Sequence, residues 1–181
     1  MTKPTSPTPP TPLTAPTPLT GPTGPPSVRV AYVDVLVLRG QGDGLQVLCL
    51  RRSGKGRSPG SWEAVHAHVD PGETPLTTAL RELTEETGLR PEKFYNLSRV
   101  ESFYRHSANE VVLVPVFAAF VSRDQAIVLS EEHDGYEWLR PEAARMRVSW
   151  PRIRREISHA MRLVGLGHAG PLEDVLQITN S

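Results

Sequence analysis

Three glutamates lie close together in the segment DPGETPLTTALRELTEETGLRP, residues 70–91, at spacings typical of one side of a helix. On a helical wheel of about 100° per residue, Glu82, Glu85 and Glu86 form a single patch beside the apolar side. Solvated like charges at these spacings repel by roughly 0.2–0.5 kcal/mol per pair. Either Arg81 relieves a solvated acidic surface, or the carboxylates bind a hard divalent cation such as Mg²⁺ or Mn²⁺.

The ends of this helix carry the residue types that start and stop helices. Thr74 suits the N-cap, Pro75 suits the first helical position, and Gly88 suits a left-handed residue after the last turn. The wheel also predicts a core-facing side made of Leu76, Ala79, Leu80, Leu83 and Thr87. A helix bounded in this way would hold the carboxylate patch next to the protein core.

Dense β-branched runs predict the strands that surround the helix. The run SVRVAYVDVLVLRG, from residue 27, reads as a strand covered on both faces, and LQVLCLRR follows it across the turn GQGDG. Further strands are expected at 96–104, at 111–121 and in GYEWL, residues 135–139. Pro115 lies inside one of them, and this predicts an edge strand or a bulge there because proline cannot donate to a sheet.

A second helix is expected near the end of the chain, over residues 151–164, with Pro151 in its first turn. Its core-facing side is predicted to consist of Ile153, Ile157, Met161 and Leu163. Because strands and helices alternate along the chain, the economical architecture is α/β, with helices covering both faces of a mixed sheet.

The composition excludes several classes of partner. The chain has 181 residues with 20 basic and 20 acidic side chains, so no net field attracts a nucleic acid polymer or an anionic membrane. We see no apolar run long enough to span a membrane and no signal peptide, so a cytoplasmic protein is expected. Cys49, the only cysteine, lies in an apolar run and is expected to be a buried thiol.

The first 27 residues differ from the rest of the chain. Residues 1–26 contain ten prolines and few bulky side chains, so they are predicted to form a disordered Pro/Thr-rich tail. Residues 28–181 then form a single folded domain of about 150 residues.

The order of residues around the glutamates resembles a known family signature. Glu73 is followed by seven residues, then by Arg81, Glu82 and Leu83, and after one further residue by Glu85 and Glu86. With Gly88 and Leu89 at its end, the stretch 67–89 resembles the Nudix box of hydrolases that split a nucleoside diphosphate linked to another group. Ala67 stands where the family has its first glycine, and every other fixed position matches.

This resemblance implies a fold, a cofactor and residue roles. The fold would be the Nudix-like α/β/α sandwich with a mixed β-sheet, and the cofactor would be Mg²⁺, for which Mn²⁺ can substitute. Glu82 would also handle the attacking water, and Arg81 would steady the carboxylates through Glu73. The catalytic residues would be Glu82, Glu85, Glu86 and Arg81. The metal ligands would be Glu82, Glu85, Glu86, His66, where relatives use a backbone carbonyl, and Glu132.

The substrate class also follows from resemblance. The string SEEHDGYEWLRPEAA, residues 130–144, together with HVDPGE, looks most like Nudix branches that act on nucleoside or pterin triphosphates and on dinucleoside polyphosphates. We therefore expect a pyrophosphohydrolase of acid anhydrides that releases pyrophosphate from a triphosphate. Two alternatives stay open. One is a dinucleoside polyphosphate hydrolase. The other is a catalytically weak nucleotide-binding module, because Ala67 would strain a backbone that needs a positive φ.

Basic side chains before the box are candidates for binding a small, nucleotide-like substrate. Arginine binds phosphate in a forked geometry, although a solvated loop is the simpler explanation. The candidates are Arg51, Arg52, Lys55, Arg57 and His68. His66, His68 and Asp70 alternate as on one strand face, so a zinc site is a weaker alternative. A homodimer is compatible with the sequence, which does not decide the oligomeric state.

Overall fold

A computed structural model of the protein describes residues 21–179. The predicted tail falls largely outside this range, since only residues 21–27 of it are described. The first strand begins at Ser27, one residue before the predicted start of the domain. None of the helices within residues 21–179 combines the length and apolarity that a bilayer crossing requires.

Within residues 21–179, eight strands form one mixed sheet, and four α-helices pack around it. The strands are β1 Ser27–Val30, β2 Tyr32–Arg39, β3 Gln46–Arg52, β4 Trp62–Glu63, β5 Val65–His68, β6 Lys93–Arg105, β7 Glu110–Phe120 and β8 His133–Leu139. The helices are α1 Pro75–Thr87, α2 Pro141–Arg147, α3 Pro151–Val164 and α4 Glu173–Leu176. Strand β7 is parallel to β1 and β2 and antiparallel to β6. Strand β2 is antiparallel to β3 and β5, and β3 is also antiparallel to β4 and β8. The expected α/β class with a mixed sheet is confirmed.

Strand β2 lies at the centre of two apolar layers. Leu36 and Leu38 pack on the side of α3, whereas Val35 and Val37 pack on the side of α1. Because successive side chains of a strand point to opposite faces, β2 is buried on both and its sequence is a continuous apolar run. Cys49 of β3 is also buried, as expected.

The run that begins at residue 27 is two strands rather than one. Ala31 separates β1 from β2, and all four residues of β1 are exposed, with Val28 reaching 63%. The prediction of a strand covered on both faces is therefore right for β2 and wrong for β1. Strand β1 pairs only with β7 among the described strands, so its position at the margin of the sheet leaves it exposed.

Pro115 lies in an interior strand, so the edge-strand alternative of the prediction was wrong. The bulge alternative fits better, because the pairing of β6 with β7 shifts its register between Asn96 and Arg99, opposite Phe117 and Val116. On one side of β7, β1 pairs with residues 110–113 and β2 pairs with residues 116–120. Pro115 falls between these two pairing segments. A proline is tolerated there because no hydrogen bond to a neighbouring parallel strand is required at that position.

Helix α3 covers the other face of the sheet with a partly unexpected set of side chains. Ile153 and Ile157 are fully buried as predicted, but Met161 and Leu163 are only half-buried. Ala160, Val164 and Glu156 complete the buried side. The presence of Glu156, with no exposed surface, points to a polar cluster beneath α3.

Candidate active site

Helix α1 begins and ends where the sequence predicted. Thr74 and Thr77 exchange hydrogen bonds between side chain and backbone, at 2.9 Å and 3.2 Å, in a capping box. Gly88 has a φ of 70°, and its amide donates to the carbonyl of Thr84. Ala79, Leu83 and Thr87 are buried, while Leu76 and Leu80 are half-buried. The helix is thus held firmly along one side, with the glutamates beside it.

Arg81 is the centre of the acidic cluster. Its Nε and Nη2 donate to the two oxygens of Glu73 at 2.8 Å and 2.9 Å. Its Nη1 donates to Glu82 at 2.7 Å and to Glu85 at 3.0 Å. Hydrogen bonds from Arg81, and then from Thr78, lower the pKa of Glu73 to about 2. One guanidinium therefore orders three carboxylates.

Glu86 is buried and lacks a protein partner for one oxygen. Its side chain is 5% exposed, and Oε2 makes no hydrogen bond within residues 21–179. Burial raises the pKa of Glu86 well above its usual value, and the charges of Glu82, Glu132 and Glu63 raise it further. Burial also raises the pKa of Glu82, against the opposing effect of Arg81. The negative charge of each of these carboxylates makes ionisation of its neighbours less favourable.

Glu63 and His133 connect the box to the sheet, and sequence reasoning missed both of them. Glu63 accepts from Arg52 Nη1 at 2.7 Å, and His133 Nε2 lies 3.3 Å from the same oxygen of Glu63. Arg52 Nη2 is also 3.6 Å from Glu132. Burial alone would raise the pKa of Glu63, but the hydrogen bonds with His133 and Arg52 outweigh it. Glu63 lies in a strand of two residues and His133 at the start of a strand with several polar side chains, so no local pattern marked either of them.

A second buried cluster lies under α3. Asp34 of β2 is opposite His66 of β5 in the strand pairing, with 2.6 Å between Oδ1 and His66 Nδ1. Arg152 donates to both oxygens of Asp34, at 2.9 Å and 3.2 Å. Although burial opposes it, the interactions with His66 and Arg152 hold the pKa of Asp34 well below its usual range. Burial, and then the charge of Asp34, raises the pKa of nearby Glu156.

A cleft of about 820 Å³ runs across both clusters. Of the residues singled out in the sequence, the cleft brings together Arg52, Arg57, His66, Ala67, His68, Glu82, Glu86 and Glu132. Its lining also includes Tyr32, Phe103, Tyr104, Trp150, Arg105, Arg152 and Arg155. The cleft is therefore acidic where α1 lines it, and aromatic and basic where β2, β6 and the start of α3 line it.

Apart from Arg81, three candidate residues do not line the cleft. The Glu85 side chain is 58% exposed and bonded to Arg81 rather than directed into the cleft. Arg51 pairs with Asp134 at 2.6 Å, and Lys55 pairs with Glu131 at 2.9 Å. Their roles as a metal ligand and as substrate contacts remain predictions, and each would require the side chain to leave its present partner.

The acidic end suits a hard divalent cation. No three His, Cys, Asp or Glu side chains of the described part of the chain already form a ligand set. However, Glu86 has an unpartnered buried oxygen, and Glu82 and Glu132 are among the charges that raise its pKa. Carboxylate oxygens are the donors that Mg²⁺ and Mn²⁺ prefer. A bound cation would remove the mutual repulsion of these groups.

The zinc alternative gains no support from the histidines. His66 is bonded to Asp34, and the side chain of His68 is 46% exposed with its Nδ1 3.8 Å from Asp70. Ala67 lies within β5 and is not one of the residues with a positive φ. Ala67 therefore does not have the backbone strain that was expected for a non-glycine residue with a positive φ.

Comparison with known proteins gives a consistent result. The NUDIX domain model matches residues 28–161. An octanoyltransferase of Myxococcus xanthus is 32% identical over 143 residues, which are 75% of this chain and 37% of that protein. The chain thus spans just over a third of that relative's length. The nucleoside triphosphatase NudI of Salmonella arizonae is 28% identical over 133 residues, covering 70% of this chain and 92% of that protein.

Solved structures agree in fold. An Ap4A hydrolase of C. elegans superposes with a TM-score of 0.63 at 21% identity, over 75% of this chain and 98% of that one. The dihydroneopterin triphosphate pyrophosphohydrolase of E. coli superposes with a TM-score of 0.56 at 25% identity, over 72% of this chain and 96% of that one.

Proposed function

This chain belongs to the NUDIX family, and we propose that it is a pyrophosphohydrolase of acid anhydrides that acts on a nucleoside or pterin triphosphate and releases pyrophosphate. The observation that carries the proposal is the buried Glu86 oxygen that has no partner among residues 21–179, next to Glu82 in a cleft of ligand size. The names of NudI and of the E. coli pterin enzyme support the triphosphate class.

We propose that Glu82, Glu86 and Glu132 hold Mg²⁺ or Mn²⁺, together with the backbone carbonyl of His66. Glu85 would join them only after leaving Arg81. A divalent cation bound here would neutralise phosphate charge and make a bound water acidic enough to ionise near neutral pH. The side chains of the cleft would orient the substrate and move the proton.

Glu82 is the proposed proton acceptor. Its side chain is 18% exposed, and burial raises its pKa, so it accepts a proton more readily than a solvated glutamate. Arg81 holds it through Nη1 at 2.7 Å, which fixes the direction of one carboxylate oxygen and leaves the other available. Arg81 thus acts through Glu82 and Glu73 rather than on the substrate.

The basic and aromatic side chains of the cleft are the proposed substrate contacts. Arg57 lines the cleft and makes no ion pair with any described residue, so its guanidinium is free to bind phosphate. His68 also lines the cleft, while Arg52 is already bonded to Glu63. At the other end, Tyr32, Phe103 and Trp150 provide aromatic surfaces for the planar ring of a base or a pterin.

The test is a panel of nucleoside triphosphates, dihydroneopterin triphosphate and dinucleoside polyphosphates, incubated with Mg²⁺ and followed by product identification. Pyrophosphate plus a monophosphate is the expected result. Orthophosphate as the sole product would contradict the proposed cleavage. Cleavage confined to dinucleoside polyphosphates would contradict the proposed substrate, and tight nucleotide binding without hydrolysis would make the protein a binding module.

A further inference from the structure

Asp34 is a buried carboxylate that the proposed chemistry does not use. It has no exposed surface and accepts hydrogen bonds from two side chains that line the cleft, His66 and Arg152. The three residues come from β2, β5 and the first turn of α3, so they join both strands and the helix at the cleft floor. This floor lies beyond the carboxylates of α1.

The contact between Asp34 and His66 fixes the orientation of the His66 ring. Nδ1 of His66 lies 2.6 Å from Oδ1 of Asp34, so this ring nitrogen is already occupied by the carboxylate. Nε2 is the ring nitrogen that is left for a ligand. Nε2 makes no hydrogen bond within the described residues and is not one of the buried polar atoms without a partner.

Arg152 is fixed in a complementary way. Its Nε and Nη2 donate to Asp34, and Nη2 also lies 3.1 Å from His66 Nδ1. Nη1 takes part in none of these contacts and is not among the buried unpartnered atoms, so it remains a donor at the cleft. The His66 ring is further held by Tyr32, whose ring stacks on it at 4.9 Å with an interplanar angle of 16°.

Glu156 makes no competing contact with the two partners of Asp34. The Glu156 carboxyl is fully buried, and its oxygens accept no hydrogen bond from described donors. Burial, and then the charge of Asp34, raises the pKa of Glu156, which disfavours a second negative charge beside Asp34.

We propose that Asp34 is a positioning residue that holds His66 and Arg152 as a polar pair for the part of the substrate that is not phosphate. The pair would hydrogen-bond to neighbouring polar groups of the kind found on a sugar and on the edge of a base. This inference rests on the proposed function and adds a specificity determinant to it. The competing explanation is a purely structural ion pair that fastens α3 to the sheet.

Asp34→Asn separates these explanations because the carboxylate uses both oxygens to hold His66 and Arg152, whereas an amide has a single acceptor oxygen. The two side chains would then no longer be held together at the cleft. We expect KM to rise about tenfold or more, with kcat within about twofold. Mn²⁺ binding, measured by electron paramagnetic resonance, should not change, because the α1 carboxylates are untouched.

His66→Asn is the second variant. Asparagine retains a group near the position of Nδ1 but has none at the position of Nε2, so it keeps the buried hydrogen bond and loses the proposed substrate contact. The matched control is Tyr95→Phe, which removes a buried 2.7 Å hydrogen bond to Glu173 away from the cleft. The control should lower the melting temperature and leave KM unchanged.

A comparison of substrates identifies the group that the pair binds. Ribose, 2′-deoxyribose and 3′-deoxyribose triphosphates are compared at constant base, and several bases at constant sugar. If His66→Asn abolishes the discrimination between sugars, the pair binds a sugar hydroxyl. If it abolishes the discrimination between bases, the pair binds the base edge. Either result supports the proposal.

The opposite result would be a change of less than twofold in KM for every substrate in both variants, with only a loss of stability like that of Tyr95→Phe. If Asp34→Asn does not fold, His66→Asn decides the question alone. If the wild-type protein hydrolyses nothing, the proposed function fails separately. Equilibrium binding of nucleoside monophosphates in EDTA, to wild type and to His66→Asn, then tests the pair, and equal or undetectable binding to both overturns it.

Discussion

Nδ1 of His133 lies 3.7 Å from Oε2 of Glu86, and neither atom has a hydrogen-bond partner among the described residues although both are buried. His133 is bonded on its other side to Glu63, so it cannot move freely toward Glu86. A buried carboxylate oxygen without a donor is unfavourable. The geometry therefore leaves Glu86 with one oxygen available to a ligand from the cleft.

Glu86→Gln is expected to remove activity without unfolding the protein. Turnover should fall about 100-fold or more, because a neutral amide is a poor ligand for a hard cation. The free energy of unfolding in EDTA should stay equal or increase, since glutamine removes a charge whose burial is unfavourable. Product assays and urea denaturation provide the measurements.

Glu142→Gln is the matched control, because Glu142 is an exposed glutamate of α2 that pairs only with Arg145. It should retain wild-type turnover and stability. Glu82→Gln should behave like Glu86→Gln in the activity assay. Wild-type rates in both cleft variants would contradict the assignment of the acidic end as the active site.

Divalent cations should stabilise the wild-type protein. At a concentration 100 times its Kd, a ligand that binds only the folded state contributes about 2.7 kcal/mol, or roughly 5–10 °C in Tm for a domain of this size. Thermal melts with and without Mg²⁺ or Mn²⁺ give this shift. It should disappear in the double variant Glu82→Gln, Glu86→Gln, and persistence there would place the cation elsewhere.

The pairing of Arg81 with Glu73 predicts a pH dependence of stability. The pKa of Glu73 is lowered to about 2, so this pairing stabilises the fold above the ordinary glutamate pKa. The contribution is lost as the pH falls from about 4.5 toward about 2. The difference in unfolding free energy between wild type and Arg81→Leu should therefore be largest near neutral pH and shrink in acid.

Urea denaturation at several pH values between 3 and 7 measures this difference. Arg145→Leu serves as the control, because the Arg145 pair with Glu142 lies on the surface and is expected to contribute little at any pH. A pH-independent effect of Arg81→Leu would mean that the arginine stabilises the fold through packing instead of through the carboxylates.

Cys49 should be unreactive in the folded protein. Burial raises the pKa of its thiol to about 12, so almost no thiolate is present near neutral pH. A thiol reagent such as 5,5′-dithiobis(2-nitrobenzoic acid) should react with one group in denaturant and with none in the native state within minutes. Rapid native reaction would show that β3 opens far more often than its burial suggests.

Helix α1 could be predicted from the sequence almost residue by residue. Thr74, Pro75 and Gly88 act on the backbone within one turn of themselves, and the buried positions recur with the helical period. The relative placement of Glu82, Glu86 and Arg81 could be predicted for the same reason, since it depends only on the geometry of one helix. Their roles came from the resemblance to the Nudix box and remain predictions. The mixed α/β class likewise followed from the alternation of patterns along the chain.

Contacts between residues that are far apart in the chain could not be predicted in this way. Glu63 and His133 are 70 residues apart in the chain, and Asp34 and Arg152 are 118 apart, yet each pair is in contact. A single charged residue within an apolar strand has no periodic pattern that distinguishes a buried partner from a solvated side chain. Glu156 was overlooked on a helix whose apolar positions were partly recognised.

Local chemistry along the chain was therefore sufficient for the bounds of α1, the acidic patch and the general architecture. The packing of β2, β4, β5, β8 and α3 decided which carboxylates are buried, which arginines are already paired, and which side chains reach the cleft. The physical reason is range: capping and periodicity act over a few residues, whereas burial and charge pairing depend on segments that meet only once the chain has folded.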